Sequence, residues 1–197
     1  MEITKAHWVA DGDSVRLSMP LTKVNEEKRL VSGFASLDNA DSQSDIVLAD
    51  ASSRAFSRFR GNIREMHQPM AVGKMVNFRE ESFVDPKTGK IHKGVYVTVY
   101  VSKGAQSTWE KVLDGTLSGF SIGGNVLDAD TEFDKAAGQS VRIIKDYELV
   151  ELSLVDNPAN QLANIDSFSK SIFSFSKKSD GSLDVTGMIA ETKSEYT

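Results

Sequence analysis

The first part of the chain alternates apolar and polar residues over two short stretches. Val15 to Met19 and Arg29 to Ser36 show this pattern, and the charged segment Lys23 to Arg29 lies between them. Alternation with a period of two is typical of a strand with one buried face. We therefore predict two strands joined by a solvated loop.

Two later segments carry apolar residues at helical spacing. Asp50 can cap the first predicted helix and Gly61 ends it. The second runs from about Gly104 to Leu113, and Gly115 follows as a stop. The apolar faces consist of Ala51, Ala55, Phe56 and Phe59 in the first helix, and of Trp109, Val112 and Leu113 in the second.

Further strands are predicted after each helix. A turn with Pro and Gly, Asp85 to Lys90, separates the first two, and an acidic loop, Asp128 to Gln139, separates the last two. The strands are Met70 to Arg79, Val95 to Val101, Leu117 to Leu127 and Val141 to Val155. Strands dominate and no regular alternation of strand and helix is present, so the predicted class is α+β, mainly β, around an antiparallel sheet or barrel.

The composition changes after Pro158. Residues 161–197 hold eight serines with scattered Lys and Asp and no sustained amphipathic period. We predict a folded domain over residues 1–160 and a flexible tail over 161–197. Because Ile172 to Ser176 alternates, a short strand or a docking peptide is the rival interpretation of the tail.

Composition excludes several classes of function. The net charge is -5 and the charged fraction 26%, which gives no basic footprint for nucleic acid. The chain has no Cys and three His, which excludes disulfides and thiolate zinc sites and leaves little for a metal cage. We expect no cofactor and no metal. No apolar run suits a targeting signal or a membrane span, so a cytosolic product is expected.

A glycine-flanked serine is the first candidate for chemistry. With a period of two, Phe120 and Ile122 share one face of a strand, and Gly119, Ser121 and Gly123 share the other. Glycine within a strand often marks the close approach of a ligand, so the Ser121 hydroxyl group would be accessible. A glycine-rich bulge or barrel bend with an incidental serine is the alternative.

A carboxylate and a histidine complete a possible set. Glu151 lies in an apolar run, where a carboxylate needs a hydrogen-bonded partner, although an ordinary solvated face would also explain it. His67 precedes Pro69 at a turn, and a structural role is its alternative. His7 and His92 are expected at the surface. Together with Ser121, these residues could supply a nucleophile, a general base and an orienting carboxylate.

Three segments resemble the prohead, or procapsid maturation, serine proteases of tailed phages. They are His67 to Pro69 with Val72 to Lys74, then Gly119 to Gly123, then Glu151 to Asn160, in the family's order. The resemblance covers roughly residues 28 to 160. It implies a fold similar to the herpesvirus assemblin proteases, an antiparallel β-barrel with a few peripheral helices.

The resemblance also implies roles for single residues. Ser121 matches the family's nucleophile, His67 its general base and Glu151 its third member. Asp146 and Glu148 lie close to Glu151 in the sequence, and either could take its place.

The implied function is a serine endopeptidase of head maturation. Such enzymes cleave scaffold protein, the major capsid protein precursor and themselves inside the procapsid, in the host cytoplasm, and they can associate into homo-oligomers. Some members cut after Glu with an apolar residue two positions earlier, and Ile189 to Glu191 has that form. Self-cleavage after Glu191 would remove the end of the tail.

Two other classes of function remain open. The same barrel type is similar to that of phage tail-tube proteins, so a non-enzymatic procapsid or tube-like virion protein is the main alternative. A module that adds a peptide strand to its glycine-rich face without cutting it is the other.

Overall fold

The computed structural model describes residues 14–41, 44–85, 88–135 and 138–158. All of them lie in the first of the two units into which the chain divides, residues 1–163 and 164–197. The predicted flexible tail over 161–197 lies outside the described residues, and so does Glu191.

The described chain consists mostly of strands. The elements in chain order are β1 (Ser14–Asn25), β2 (Leu30–Leu37), β3 (Asp45–Val47), α1 (Ala49–Arg58), β4 (Asn62–Glu65), β5 (Ala71–Val84), β6 (Ile91–Val101), α2 (Gln106–Leu113), β7 (Gly119–Asp134) and β8 (Gln139–Val155). The predicted mainly β class with few helices is confirmed.

One sheet holds all the described strands, in the order β3-β8-β4-β5-β6-β2-β1-β7, and β7 also pairs with β8. The sheet is open at β3, and β8 runs parallel to β3 and to β4. The strand pairing therefore differs from the predicted antiparallel barrel in the two parallel pairs of β8, and the likeness to assemblin is not confirmed. The physical reason is α1, which lies between β3 and β4 and returns the chain so that both strands run in one direction.

The short strands and the long hairpin differ from the prediction. β3 and β4 have three and four residues, too few to show an alternating pattern. The predicted acidic loop Asp128 to Gln139 is largely strand, because β7 continues to Asp134 and β8 begins at Gln139. This hairpin is mostly exposed on both faces, so its sequence lacks the apolar alternation of a half-buried strand.

The apolar core holds three strands in place around the candidate residues. Phe120 and Ile122 of β7, Leu152 and Leu154 of β8, and Ile63 of β4 are all fully buried in one cluster. Burying each such side chain contributes roughly 1.5–3 kcal/mol. The backbones of β4, β7 and β8 are therefore fixed where the candidate side chains emerge on the opposite face.

Candidate active site

Strand register places the candidate residues of β7 and β8 side by side. Ser121 is the cross-strand partner of Ser153, and Gly123 is the partner of Glu151. Cross-strand partners share a face of the sheet, and so do residues two apart in one strand. The four residues therefore form one patch. Ser121 is 0% exposed, so a peptide can reach its Oγ only if neighbouring groups move.

The absence of a side chain at Gly123 makes room for the Glu151 carboxylate. A Cβ atom at position 123 would lie 2.8 Å from Glu151 Oε1 and 3.0 Å from its Cγ. Contacts this close are incompatible with the observed position of the carboxylate. The glycine-rich face predicted from the sequence therefore accommodates a neighbouring side chain of the protein itself.

His67 lies in the tight turn that follows β4. Met66 and His67 both have left-handed backbones, with φ of 51° and 60°. The Met66 N–H donates to the Leu154 carbonyl at 2.9 Å, and the Gln68 N–H donates to the Glu65 carbonyl at 2.9 Å. Such conformations cost about 1–3 kcal/mol for a non-glycine residue and concentrate at functional sites. The turn is therefore held against strain by its contact with β8.

The structure brings His67 and Glu151 together. His67 Nδ1 makes a short hydrogen bond with Glu151 Oε1. Their side chains are only 15% and 10% exposed. A carboxylate can only accept, so Nδ1 carries the proton and donates it. Nε2 is then the nitrogen able to take a proton from a hydroxyl group.

Arg64 completes the contacts of the carboxylate, and the sequence did not predict this residue. Its Nη1 donates to Glu151 Oε2 at 2.8 Å, and its side chain is 33% exposed. Arg64 precedes His67 by three residues, and it is the register partner of Ser153 in β8. A nearly buried carboxylate is costly without partners, and Glu151 has one on each oxygen. The only signal in the sequence is the apolar run around Glu151, where a carboxylate needs a hydrogen-bonded partner.

The neighbouring acids do not replace Glu151 in this arrangement. Asp146 forms an ion pair with Arg58 at 2.9 Å and lies near Arg54. Glu148 lies 3.4 Å from Asn125 Nδ2. The carboxylate in contact with His67 is therefore that of Glu151.

Glu65, the last residue of β4, contacts α2 beside the turn that contains His67. It is 7% exposed, accepts a short hydrogen bond from Thr108 Oγ1 and lies 2.5 Å from Lys111 Nζ. Burial raises the pKa of Glu65, but the hydrogen bonds from Lys111 and Thr108 outweigh it and the pKa is lowered overall. The sequence does not predict this contact, because nothing in the spacing of residues links β4 to α2.

The remaining candidates are His92, the possible ligands of a metal ion and the possible membrane spans. His92, expected at the surface, is only 5% exposed, and its Nδ1 lies 3.4 Å from Asp38. By the alternation of β6, His92 lies on the face of Gly94 and Tyr96, opposite the fully buried Val95 and Val97, and Phe83 of β5 is its cross-strand partner. Among the described residues, no group of three or more His, Asp or Glu could hold a metal ion. Nor does any helix of the described ranges have the length and apolar character to cross a membrane.

Two known protein families match parts of the chain. Residues 17–130 match the family described as "Putative phage serine protease XkdF", and residues 92–178 match "Caudovirus prohead serine protease". The first match covers more than half of the chain, which therefore belongs to that family, and the predicted resemblance to phage prohead proteases is confirmed. Ser121 lies in both matched ranges, His67 in the first and Glu151 in the second. No curated protein and no solved structure matches the chain significantly.

Proposed function

We propose that the protein is a serine endopeptidase of phage head maturation that works through Ser121, His67 and Glu151. The observation that carries the proposal is the contact of His67 with Glu151, on the face of the sheet that bears Ser121. A hydroxyl group, an imidazole and a carboxylate are the three parts of this chemistry, on whatever fold they occur. Membership of a phage serine protease family supports the same function.

The mechanism assigns one step to each side chain. Ser121 Oγ attacks the carbonyl carbon of the scissile peptide while His67 Nε2 takes the hydroxyl proton. Glu151 stabilises the imidazolium that forms, and Arg64 keeps the carboxylate in position. His67 then gives its proton to the leaving amine, and an acyl-enzyme remains. A water molecule, deprotonated by His67, attacks the acyl carbon and releases Ser121.

We propose scaffold protein and the major capsid protein precursor as substrates, and self-cleavage after Glu191 as a further activity. The resemblance of the motifs supports the substrates, and the form of Ile189 to Glu191 supports the site. An association of copies within the procapsid would raise the local concentration of enzyme and substrate. These proposals place the protein inside the procapsid in the host cytoplasm.

Mass analysis of cleavage tests the proposed function. The wild type, Ser121→Ala and Ser140→Ala are each incubated alone and with scaffold protein. Ser140 is an exposed serine near the start of β8, outside the site, and is the matched control. We expect new termini with the wild type and Ser140→Ala and none with Ser121→Ala. Equal cleavage by all three would refute the assignment of Ser121.

The same measurement separates the remaining alternatives. Folded wild type that leaves scaffold and itself intact would favour the structural virion protein. Saturable binding of a scaffold peptide with no new termini would favour a binding module. Cleavage of scaffold with an intact C-terminus would refute self-cleavage after Glu191 alone.

A further inference from the structure

Ser153 is a buried hydroxyl group that the mechanism above does not use. It is 0% exposed, and its Oγ has no hydrogen-bond partner among the described residues. One other described side chain shares this condition, Ser36 of β2, which is 1% exposed. The two serines differ in position: Ser153 is the register partner of Ser121, whereas β2 pairs with β1 and β6.

An unsatisfied hydroxyl group in this position is costly. A buried donor without a partner costs about 1–3 kcal/mol relative to a satisfied one. Native structures contain few of them, and each calls for a physical explanation. Alanine at position 153 would keep the strand and remove the cost. A group that destabilises the resting protein beside a candidate nucleophile suggests a partner that exists only during the reaction.

The backbone geometry supplies that partner. Directly opposed residues of antiparallel strands have Cα atoms about 4.5–5.5 Å apart and side chains on one face. Ser153 Oγ can move between staggered positions by rotation about χ1 alone. Because the two side chains emerge on the same face of paired strands, rotation about χ1 can bring Ser153 Oγ towards the Ser121 side chain. Glu151 is already engaged on both of its oxygens, by His67 and Arg64, and does not need the hydroxyl group.

We propose that Ser153 is a further catalytic residue, whose hydroxyl group donates a hydrogen bond to Ser121 Oγ while that oxygen carries negative charge. This inference rests on the proposed function. Charge develops on Ser121 Oγ as its proton passes to His67, and again when the acyl-enzyme is cleaved. Hydrogen bonds to a charged oxygen are roughly twice as strong as those between neutral groups. The bond therefore stabilises the transition state more than the resting protein.

A fluorophosphonate probe tests the inference without knowledge of the natural substrate. Ser121 Oγ forms a bond to phosphorus, the phosphorus–fluorine bond breaks, fluoride leaves, and the serine proton passes to His67. The saturating labelling rate and the half-saturating probe concentration are measured by intact mass for the full-length wild type, Ser153→Ala, Ser36→Ala and Ser121→Ala. Melting temperatures are measured beside them.

We expect Ser153→Ala to lower the saturating rate by about 10- to 100-fold, since a hydrogen bond to a charged oxygen contributes on this scale. The half-saturating concentration should change less than about twofold, and the melting temperature should not fall. Ser36→Ala should have the same melting temperature as Ser153→Ala and should be labelled at the wild-type rate. A merely structural hydroxyl group would change stability and leave the saturating rate alone.

The outcomes separate this inference from the proposed function. An unchanged saturating rate in Ser153→Ala, with a wild type that labels at Ser121, overturns the role of Ser153 only. A lower melting temperature in Ser153→Ala, with the rate and the half-saturating concentration both altered, also overturns it, since the hydroxyl group is then structural. A folded wild type that is not labelled at Ser121 overturns the proposed function, and this inference with it.

Discussion

The two halves of the β7–β8 strand pair have opposite surroundings. The inner half, residues 119–123 with 151–155, is almost wholly buried, whereas in the outer half, residues 125–134 with 139–148, exposed positions outnumber the buried ones, which are Val141, Ile144 and Tyr147 of β8. β7 has β1 on its other side only as far as Asn125, and β4 pairs with β8 only at 152–154. The inner half therefore has strand neighbours on both sides, whereas in the outer half β8 has one through β3 at 142–144 and β7 has none among the described strands beyond Asn125. The candidate chemistry lies in the rigid half, where side chains can be kept in one geometry.

Charged groups behave differently in the two halves. In the outer half Lys145 forms a close ion pair with exposed Asp130, and hydrogen bonding and attraction to that carboxylate raise the pKa of Lys145. Such surface pairs contribute little to stability. In the inner half Glu151 is nearly buried and bonded on both oxygens. Substitution of a charged residue in the outer half should therefore have little effect on stability or on the rate of cleavage. Substitution in the inner half should lower the rate of cleavage.

The largest expected effect follows removal of the imidazole. His67→Ala should lower the rate of scaffold cleavage by at least about 1,000-fold, because the parts of such a triad act as a unit. Lys145→Ala, in the outer half, should leave the rate within about twofold of wild type because surface pairs contribute little. Initial cleavage rates measure both. A loss of less than tenfold in folded His67→Ala would show that another group is the base.

Two glycines provide the next comparison. Gly123→Ala would place a Cβ 2.8 Å from Glu151 Oε1 and displace the carboxylate, so cleavage should fall by about 100-fold. Gly138→Ala, at the hairpin tip, meets no atom within 4 Å but has φ of 67°. It should cost about 1 kcal/mol of stability without loss of activity. Cleavage rates and urea unfolding distinguish the two variants. If Gly123→Ala kept its activity and Gly138→Ala lost it, Glu151 would have no part in cleavage.

Two arginines test whether the ion pair of Glu151 matters for turnover. Arg64→Gln should lower kcat by about 10-fold and change KM little, since it leaves a nearly buried carboxylate with one partner. Arg58→Gln breaks the exposed pair with Asp146 and should cost no more than about 1 kcal/mol, with kcat unchanged. Steady-state kinetics with a scaffold peptide measures both. Equal kcat in the two variants would limit Arg64 to a structural role.

The smallest expected effect is a pH dependence of stability from Glu65. Its pKa in the folded protein is below the ordinary 4.5, so the unfolded chain binds its proton first as pH falls. The stabilisation is fully present above about pH 4.5 and is lost as pH falls through the lowered pKa. Glu65→Gln should flatten this part of the curve. Urea unfolding at pH 3 to 6 tests it, and parallel curves for variant and wild type would contradict it.

The sequence predicted the inner half better than the outer half for a physical reason. Alternation around Ser121 and around Glu151 indicates a strand with one apolar face, and each of the two residues falls on the opposite face. Around the hairpin tip, residues 128–135 and 138–140 are exposed apart from partly buried Ala129, and their Asp and Glu residues give the pattern of a loop. A prediction from periodicity therefore depends on the burial of one face.

The contacts between distant segments were harder to predict. His67 is a candidate from its place before Pro69 at a turn and from the resemblance of its motif, because a turn carries no periodic signal that would place it beside Glu151. The contact of Arg64 with Glu151 depends on the parallel pairing of β4 with β8, which the four residues of β4 do not reveal. The role of Ser153 depends on its register with Ser121 in β7. Glu65 depends on the packing of α2 against β4. Contacts that depend on how distant segments pair or pack leave no pattern in the local sequence.

Peptide mapping of the fluorophosphonate adduct tests the central claim most directly. The labelled wild type is digested and the modified residue identified, with His67→Ala treated in parallel. We predict a single adduct on Ser121 in the wild type and almost none in His67→Ala. An adduct on another serine, or equal labelling of Ser121 in folded His67→Ala, would contradict the assignment of Ser121 and His67 as nucleophile and base.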